Sequence, residues 1–393
     1  MKNHCPSCQS DLLKTVFTHS GIPTNSCLLF DSAQEARQVS RGDFALHVCC
    51  RCGLYFNAAF DEALCRYNGH YEETQSYSPT FRRYMESITK DLIQRHDLRH
   101  KKVLEIGCGK GEFLASLCER GENWGTGYDP SFRQDRHPSP HAERLDFRAE
   151  YFTTGSKREP WDLIINRMTL EHVPDIAGFF AMVKATMQDH PAALCYTQVP
   201  NSIQLITQGL VCDMLYEHCN YFTQSALSSA LQQAGFAPGQ TQISFGNQHL
   251  AIEARVGQIA ACNAADSSEQ IEAQAAQFSQ RLSRHIERWN HRLETFRKQQ
   301  QRVIIWGSGS KATAFLDYHH WQEELIAVVD INPNRHASYM AGSGHPIIAP
   351  QQLIGDSPYA SPDVVIIMNP NYRTEIQEML LQLGLMPTLL TLT

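Results

Sequence analysis

Nine residues, LYEHCNYFT from Leu215 to Thr223, set Glu217 beside His218 between Tyr216 and Tyr221, in a stretch that reads as a helix-breaking connection. The pair suits an ordinary surface turn. It also suits a general base, because an imidazole with an unperturbed pKa of about 6.5 exchanges protons near neutral pH. His218 stands seventeen residues after Asn201, which closes the apolar strand ending Val199-Pro200-Asn201. In an open α/β sheet the ligand crevice lies at the carboxyl ends of the strands, so a segment leaving that edge can overhang a ligand. His218 is therefore the candidate base, and a proton donor for it must be sought elsewhere.

The ligand signal lies upstream. Val103-Leu104-Glu105-Ile106 is an apolar strand running into Gly107-Cys108-Gly109-Lys110-Gly111, a turn that opens a helix. Glycine tolerates positive φ and lets a ligand lie against bare backbone, and dinucleotide-binding proteins use similar turns. Two acids sharpen the pattern. Glu105 stands two places before Gly107, and Asp129 ends the next strand, TGYDPS, where it can accept hydrogen bonds from both ribose hydroxyls. A third set is Cys5-Pro-Ser-Cys8 and Cys49-Cys50-Arg51-Cys52. Two CxxC knuckles complete a tetrahedral thiolate shell for zinc, with no position left open for chemistry, so the implied Zn2+ is structural. Cys50 is a bystander, since only Cys49 keeps the step to Cys52.

These residues need elements to position them. The 393-residue chain is long enough for two or three domains. Residues 1–60 hold the cysteines, as a zinc-binding domain. Residues 61–100 read as helical, with Tyr84, Ile88 and Leu92 four apart. From 101 to about 256 apolar strands alternate with helical stretches, the rhythm of a parallel sheet with helices on both faces. Residues 257–268 are small and polar, as in a linker. After them Phe278, Leu282, Ile286, Trp289, Leu293 and Phe296 mark one face of a long helix, so 257–301 is linker plus helix. A second α/β series fills 302–393, beginning Ile304-Ile305-Trp306-Gly307-Ser308-Gly309-Ser310-Lys311-Ala312, with Asp330 twenty-one residues after Gly309. A charge of −7 argues against a general nucleic-acid binder, and no apolar run is long enough to span a bilayer. Thirteen cysteines, an odd number, and an amino terminus without an apolar signal core suit a reducing, cytoplasmic setting.

The set Glu105-x-Gly107-x-Gly109-x-Gly111 with Asp129 resembles class I S-adenosyl-L-methionine-dependent methyltransferases, as does Asp162-Leu163-Ile164-Ile165 followed by Leu170-Glu171-His172-Val173. The whole chain resembles the three-domain C-methyltransferases of deoxysugar nucleotides. Gln198-Val199-Pro200-Asn201, Glu217-His218-Cys219-Asn220-Tyr221-Phe222 and Val329-Asp330-Ile331-Asn332-Pro333 carry that likeness. It implies an α/β chain: an N-terminal zinc domain, a class I methyltransferase (Rossmann-like) domain over 61–256, and a C-terminal Rossmann-like domain. It implies that His218 removes a proton from carbon next to a sugar keto group, with Glu217, His172 and Tyr71 in the site, and Glu150 and Asn166 among the cofactor contacts. His172 fits equally an orienting role or a plain helix start. The family reads Tyr-x-Glu-His where this chain has Tyr216-Glu217-His218, one place displaced, which puts Tyr216 and the acceptor in question. The last domain is left with three uses: a second nucleotide site, closure over the acceptor through Ser308, Lys311 and Asn369, or burial of the central domain's flank. Expected partners are a small acceptor, a nucleotide sugar among the candidates, with neither nucleic acid nor membrane, in a monomer or homodimer. The rival readings are O- or N-methylation of a natural-product precursor, and an idle zinc-bearing binding protein.

Overall fold

In the computed structural model residues 2–392 are described, except 66, 69, 137–141, 158, 189, 258–266 and 320–324; most of the expected linker at 257–268 thus lies outside the described residues. Strands β1 (Leu13–Pro23) and β2 (Arg41–Cys49) form an antiparallel pair, Leu13 facing Cys49 and Pro23 facing Arg41. Between them lies the short helix α1 (Ala33–Arg37), capped by Ser32. Strand β3 (Tyr55–Asn57) adds to the free side of β2. The helix read over 61–100 is only Pro79–His96 (α2). Pro79 is why it starts late: proline suits the first helical turn but disfavours helix in the residue before it, and Ser78 caps the Phe81 N–H instead. Residues 67–68 and 70–78 belong to an irregular strap crossing from the N-terminal module to α2.

The central sheet follows the expected alternation. Strands β4 (Lys102–Ile106), β5 (Trp124–Tyr128), β6 (Leu145–Arg148), β7 (Leu163–Arg167) and β8 (Leu194–Pro200) are parallel, with α3 (Glu112–Gly121) after β4 and α4 (Ile176–Thr186) after β7. The chain then makes α5 (Ile203–Gln208) and a two-residue strand, β9 (Asn220–Tyr221), that leaves the central sheet to pair with β3. Helix α6 (Gln224–Gln233) leads back to β10 (Phe236–Pro238), β11 (Gln242–Ser244) and β12 (His249–Val256). The order is β10-β12-β8-β7-β4-β5-β6, with β11 beside β12 and β12 antiparallel to β8. Side chains alternate between the faces of these buried strands. Val103, Leu163 and Ile165 pack with Leu92 of α2 and Phe113 and Leu117 of α3, whereas Leu104, Ile164 and Cys195 pack with Phe180 of α4 and Leu227 of α6.

Helix α7 (Ser268–Lys298) begins in a capping box of Ser267 and Gln270. It leads to a parallel five-stranded sheet, β15-β14-β13-β16-β17, built from β13 (Val303–Trp306), β14 (Leu325–Val329), β15 (Ile347–Ile348), β16 (Val364–Ile367) and β17 (Thr388–Thr391). Helix α8 (Ser310–Tyr318) follows β13 and α9 (Arg373–Gln382) follows β16. The apolar stripe of α7 is the joint of the molecule. Phe278, Leu282, Trp289 and Leu293 share one core with Phe44, Leu46 and Tyr55 of the first sheet, Leu205 and Ile206 of α5, and Phe315 of α8. No helix among the described residues is long and apolar enough to cross a membrane. Trp289 is fully buried, with its ring edge-on to Phe315 at 5.2 Å. Trp289→Ala should cost about 3–5 kcal/mol through the cavity it leaves, read as a large fall in melting temperature; an unchanged melt would refute this account of the joint.

Candidate functional site

The carboxyl ends of the parallel strands of the two sheets face each other across one cavity of about 710 Å³. Gly107, Asp129, Met168 and Asn201 reach it from the central sheet, and Gly307, Asp330 and Asn369 from the C-terminal one. Strap residues 71, 73–75 and 77 line it as well. Its size is in the range of small-molecule sites.

The first glycine turn forms one wall. Gly107, Gly109 and Gly111 have φ of 74°, 54° and 78°, the left-handed region where a side chain is strained. A Cβ on Gly107 would strike Thr169, one on Gly109 the Glu73 carboxylate, and one on Gly111 the Phe147 ring. Asp129 closes the turn by accepting from the Gly109 N–H at 2.9 Å and from the Ser131 N–H and hydroxyl at 2.7 and 2.6 Å. Glu105 is buried beneath it, and burial lifts its carboxyl to about 8 against the pull of Arg167. Three expected contacts stand outside the cavity lining. Gly111 acts from behind, by admitting Phe147. Asn166 is sealed between β7 and β8, donating to Thr197 at 3.0 Å, and the next residue, Arg167, lines the cavity in its place. Glu150 is exposed, while Tyr151 and Phe152 line the wall. At Asn166 the strand pleat turns its neighbour toward the ligand space, whereas Glu150 to Phe152 lie beyond the end of β6.

The segment 215–221 parts Glu217 from His218. His218 lines the cavity, and its ring makes no hydrogen bond among the described residues. It stands edge-on to His172, with centroids 4.8 Å apart at 87°. Nδ1 of His172 is 3.0 Å from the Glu217 carbonyl oxygen and 2.9 Å from the Tyr67 hydroxyl. A carbonyl can only accept, so that bond puts the proton on Nδ1 and leaves Nε2 bare. Burial holds both imidazoles below their usual pKa, His218 far below, with His172 and Lys311 adding to the effect on His218. Glu217 is not in the cavity lining. Its carboxylate is buried and accepts from the Ser26 N–H at 3.0 Å, the Ser26 hydroxyl, the Asn25 amide and the Tyr71 hydroxyl at 2.9 Å. It therefore orients Tyr71, which does line the cavity, and pins residues 25–26. Tyr216 is also buried away from the cavity. It packs on Phe60 and accepts from the Asp61 N–H at 2.9 Å.

The four cysteines converge. Cys5 and Cys52 sulfurs are 3.6 Å apart, Cys8 and Cys49 are 3.5 Å apart, and all four lie within 4.8 Å of one another; Cys50 is outside the group. Tetrahedral zinc–thiolate geometry needs sulfurs about 3.8 Å apart, so this set can hold such an ion. Its knuckles pack against Phe222, Ala226 and Leu227, just past His218.

The second turn is built differently. Gly307 has φ of 100° but Gly309 does not enter the left-handed region. Asp330 accepts from the Ser308 N–H and hydroxyl at 2.8 and 2.6 Å and from the Asn332 N–H at 2.8 Å, as Asp129 does in the first turn. Lys311 is paired with Asp213, and Asn369 exchanges hydrogen bonds with Gln248. Sequence reasoning passed over Glu73, Lys110, Arg167 and Arg335. Their only signal was polar residues beside Tyr71 or within the turns, and only folding shows that they share a cavity.

Residues 80–240 match the family described as methyltransferase domain, and residues 241–384 match the family described as C-methyltransferase C-terminal domain. The chain thus has the class I methyltransferase fold, Rossmann-like around a largely parallel sheet, followed by a C-terminal domain. No curated protein matches it. Among solved structures it is similar to Burkholderia thailandensis 1,6-didemethyltoxoflavin-N1-methyltransferase, at 21% identity over 44% of this chain and 79% of that one, TM-score 0.35. Magnesium protoporphyrin IX methyltransferase from Synechocystis PCC 6803 is similar at 14% over 45% and 83%, TM-score 0.37. Human N-acetylserotonin methyltransferase is similar at 18% over 44% and 55%, TM-score 0.34.

The different surroundings of the adjacent pair can be tested by melting. Glu217→Ala strands buried donors from Ser26 and Tyr71 and should destabilise by about 2–3 kcal/mol, whereas His218→Asn, with no hydrogen bond to lose, should change stability by under about 1 kcal/mol. Equal effects would show that the two share one environment.

Proposed function

We propose that the protein is an S-adenosylmethionine-dependent C-methyltransferase that methylates carbon next to a keto group of a small polar acceptor, a nucleotide-linked deoxysugar being the favoured class. The observation that carries this reading is a neutral imidazole, His218, with no ring hydrogen bond among the described residues, lining the same cavity as a glycine turn with an acid at its rim. The turn fits the donor on its own chemistry: left-handed glycines at the end of a parallel strand, Asp129 for ribose hydroxyls, and the Glu73 carboxyl group on the wall beside them. Bound there, the donor supplies an already activated methyl group, so alignment and a proton acceptor are what the chain must add.

His218 takes the proton from the acceptor carbon. The Nδ1 proton of His172 is held by the Glu217 carbonyl, with the Tyr67 oxygen close by, which leaves the Tyr67 O–H free to donate to the acceptor's keto oxygen. Tyr71, fixed by Glu217, lines the same pocket as an acceptor contact. The second matched family favours carbon over oxygen or nitrogen as the methylated atom. The four-cysteine set is proposed as a structural Zn2+ site in which Cys5, Cys8, Cys49 and Cys52 are the ligands.

His218→Asn should abolish turnover of a keto-sugar nucleotide while S-adenosylmethionine affinity stays within a few-fold by calorimetry; wild-type turnover in that variant removes His218 as the base. Because burial lowers the His218 pKa, protonation of the base sets in only below the ordinary value of 6.5, and the acid limb of kcat/KM should fall below that pH. A limb at or above it contradicts the buried-base reading. Elemental analysis should find about one zinc per chain, and Cys49→Ser should lower both zinc content and melting temperature; a metal-free, equally stable wild type would dismiss the zinc site.

A further inference from the structure

Glu73 stands on the strap over the glycine turn, and the proposed proton transfer does not use it. Its Oε1 lies 2.6 Å from the point a Gly109 Cβ would occupy, so the carboxylate covers the bare backbone of the turn. Its Oε2 is buried with no hydrogen-bond partner among the described residues. The adjacent cation is Lys110, whose ammonium is 3.4 Å from Oε2 and donates instead to the Tyr71 and Ser131 carbonyls at 2.8 and 3.1 Å. Burial lifts the Glu73 carboxyl to about 7, with Lys110 opposing and Asp129 adding to the rise. The cavity wall therefore holds a carboxylate that meets Lys110 through its sealed Oε2, while Oε1 accepts no hydrogen bond among the described residues. The backbone around it is tied down on both sides. Thr74 and Ser76 donate to Glu112 at the start of α3, at 2.7 and 2.6 Å. Arg335 donates to the Glu72 carbonyl, and Asn332 to the Glu72 carboxylate at 2.9 Å.

We infer that Glu73 is a donor-binding residue, its carboxylate pairing with the α-ammonium of the methionyl arm of S-adenosylmethionine. This rests on the proposed function, in which the turn seats that donor. The ligand carries two positive centres, the sulfonium and the ammonium. Only the ammonium has N–H groups to donate to Oε1 over the turn, because a sulfonium has no hydrogen to donate. The pairing also explains why a carboxylate is kept where it is costly to bury: a bound cation replaces the water it has lost.

Calorimetry on the full chain with three ligands tests the inference. S-Adenosylmethionine has both charges, S-adenosylhomocysteine keeps only the ammonium centre, and 5′-methylthioadenosine has neither. Glu73→Gln should weaken the first two at least tenfold and leave 5′-methylthioadenosine within twofold. Unaltered affinity for the two amino-acid-bearing ligands overturns the inference, and an equal loss for all three shows a merely structural role. A loss confined to S-adenosylmethionine gives the charge to the sulfonium and overturns the ammonium assignment. A wild type that binds none of the three removes the donor site itself, and so strikes the proposed function before the variant is compared.

Discussion

A buried carboxylate must find hydrogen-bond donors, and among the described residues Glu217 finds them in the N-terminal module and the strap. Ser26 and Asn25 come from the N-terminal module and Tyr71 from the strap. Three residues later Asn220 and Tyr221 leave the central sheet and pair with β3. His218 lies between these two attachments, so its place at the cavity is set by what its neighbours must do. The loop cannot take this course unless the N-terminal sheet is folded against it.

The cysteine knuckles acquire their meaning from that dependence. They pack on Phe222 and α6, next to the loop and some distance along the chain from any glycine turn. An ion there would act on the site only through packing. Long-range contacts of this kind also explain α7, whose stripe holds one face of the C-terminal sheet, α5 and the first sheet in a single core. The three units are thereby locked around the cavity, and the strap between the first two is clamped to the third by Arg335.

The two glycine turns begin alike and end differently. In each, an acid closes the loop through backbone N–H groups, Asp129 in one and Asp330 in the other. Around the first, Glu73 and Glu105 remain short of partners and raised in pKa by burial. Around the second, Lys311 is neutralised by Asp213 and Ser308 is engaged by Arg335 as well as Asp330.

Much of the design was legible in the chain. Apolar strands alternating with helical stretches give the sheets, since a strand buried on both faces must be apolar throughout. The positive-φ turn at Gly107, Gly109 and Gly111 and the stripe on α7 follow from backbone and side-chain geometry that neighbours along the chain specify. Orientation was not legible. That Glu217 faces Ser26 and not the cavity, that Arg167 and Tyr151 line the wall where Asn166 and Glu150 were expected, and that Glu73 reaches Gly109 are all set by contacts between residues far apart in sequence. The sequence by itself determined which chemistry was present and which elements would carry it, because those depend on residue type and local periodicity. Only the tertiary structure decided which side chains meet, because burial, pleat and the demand for hydrogen-bond partners act through space.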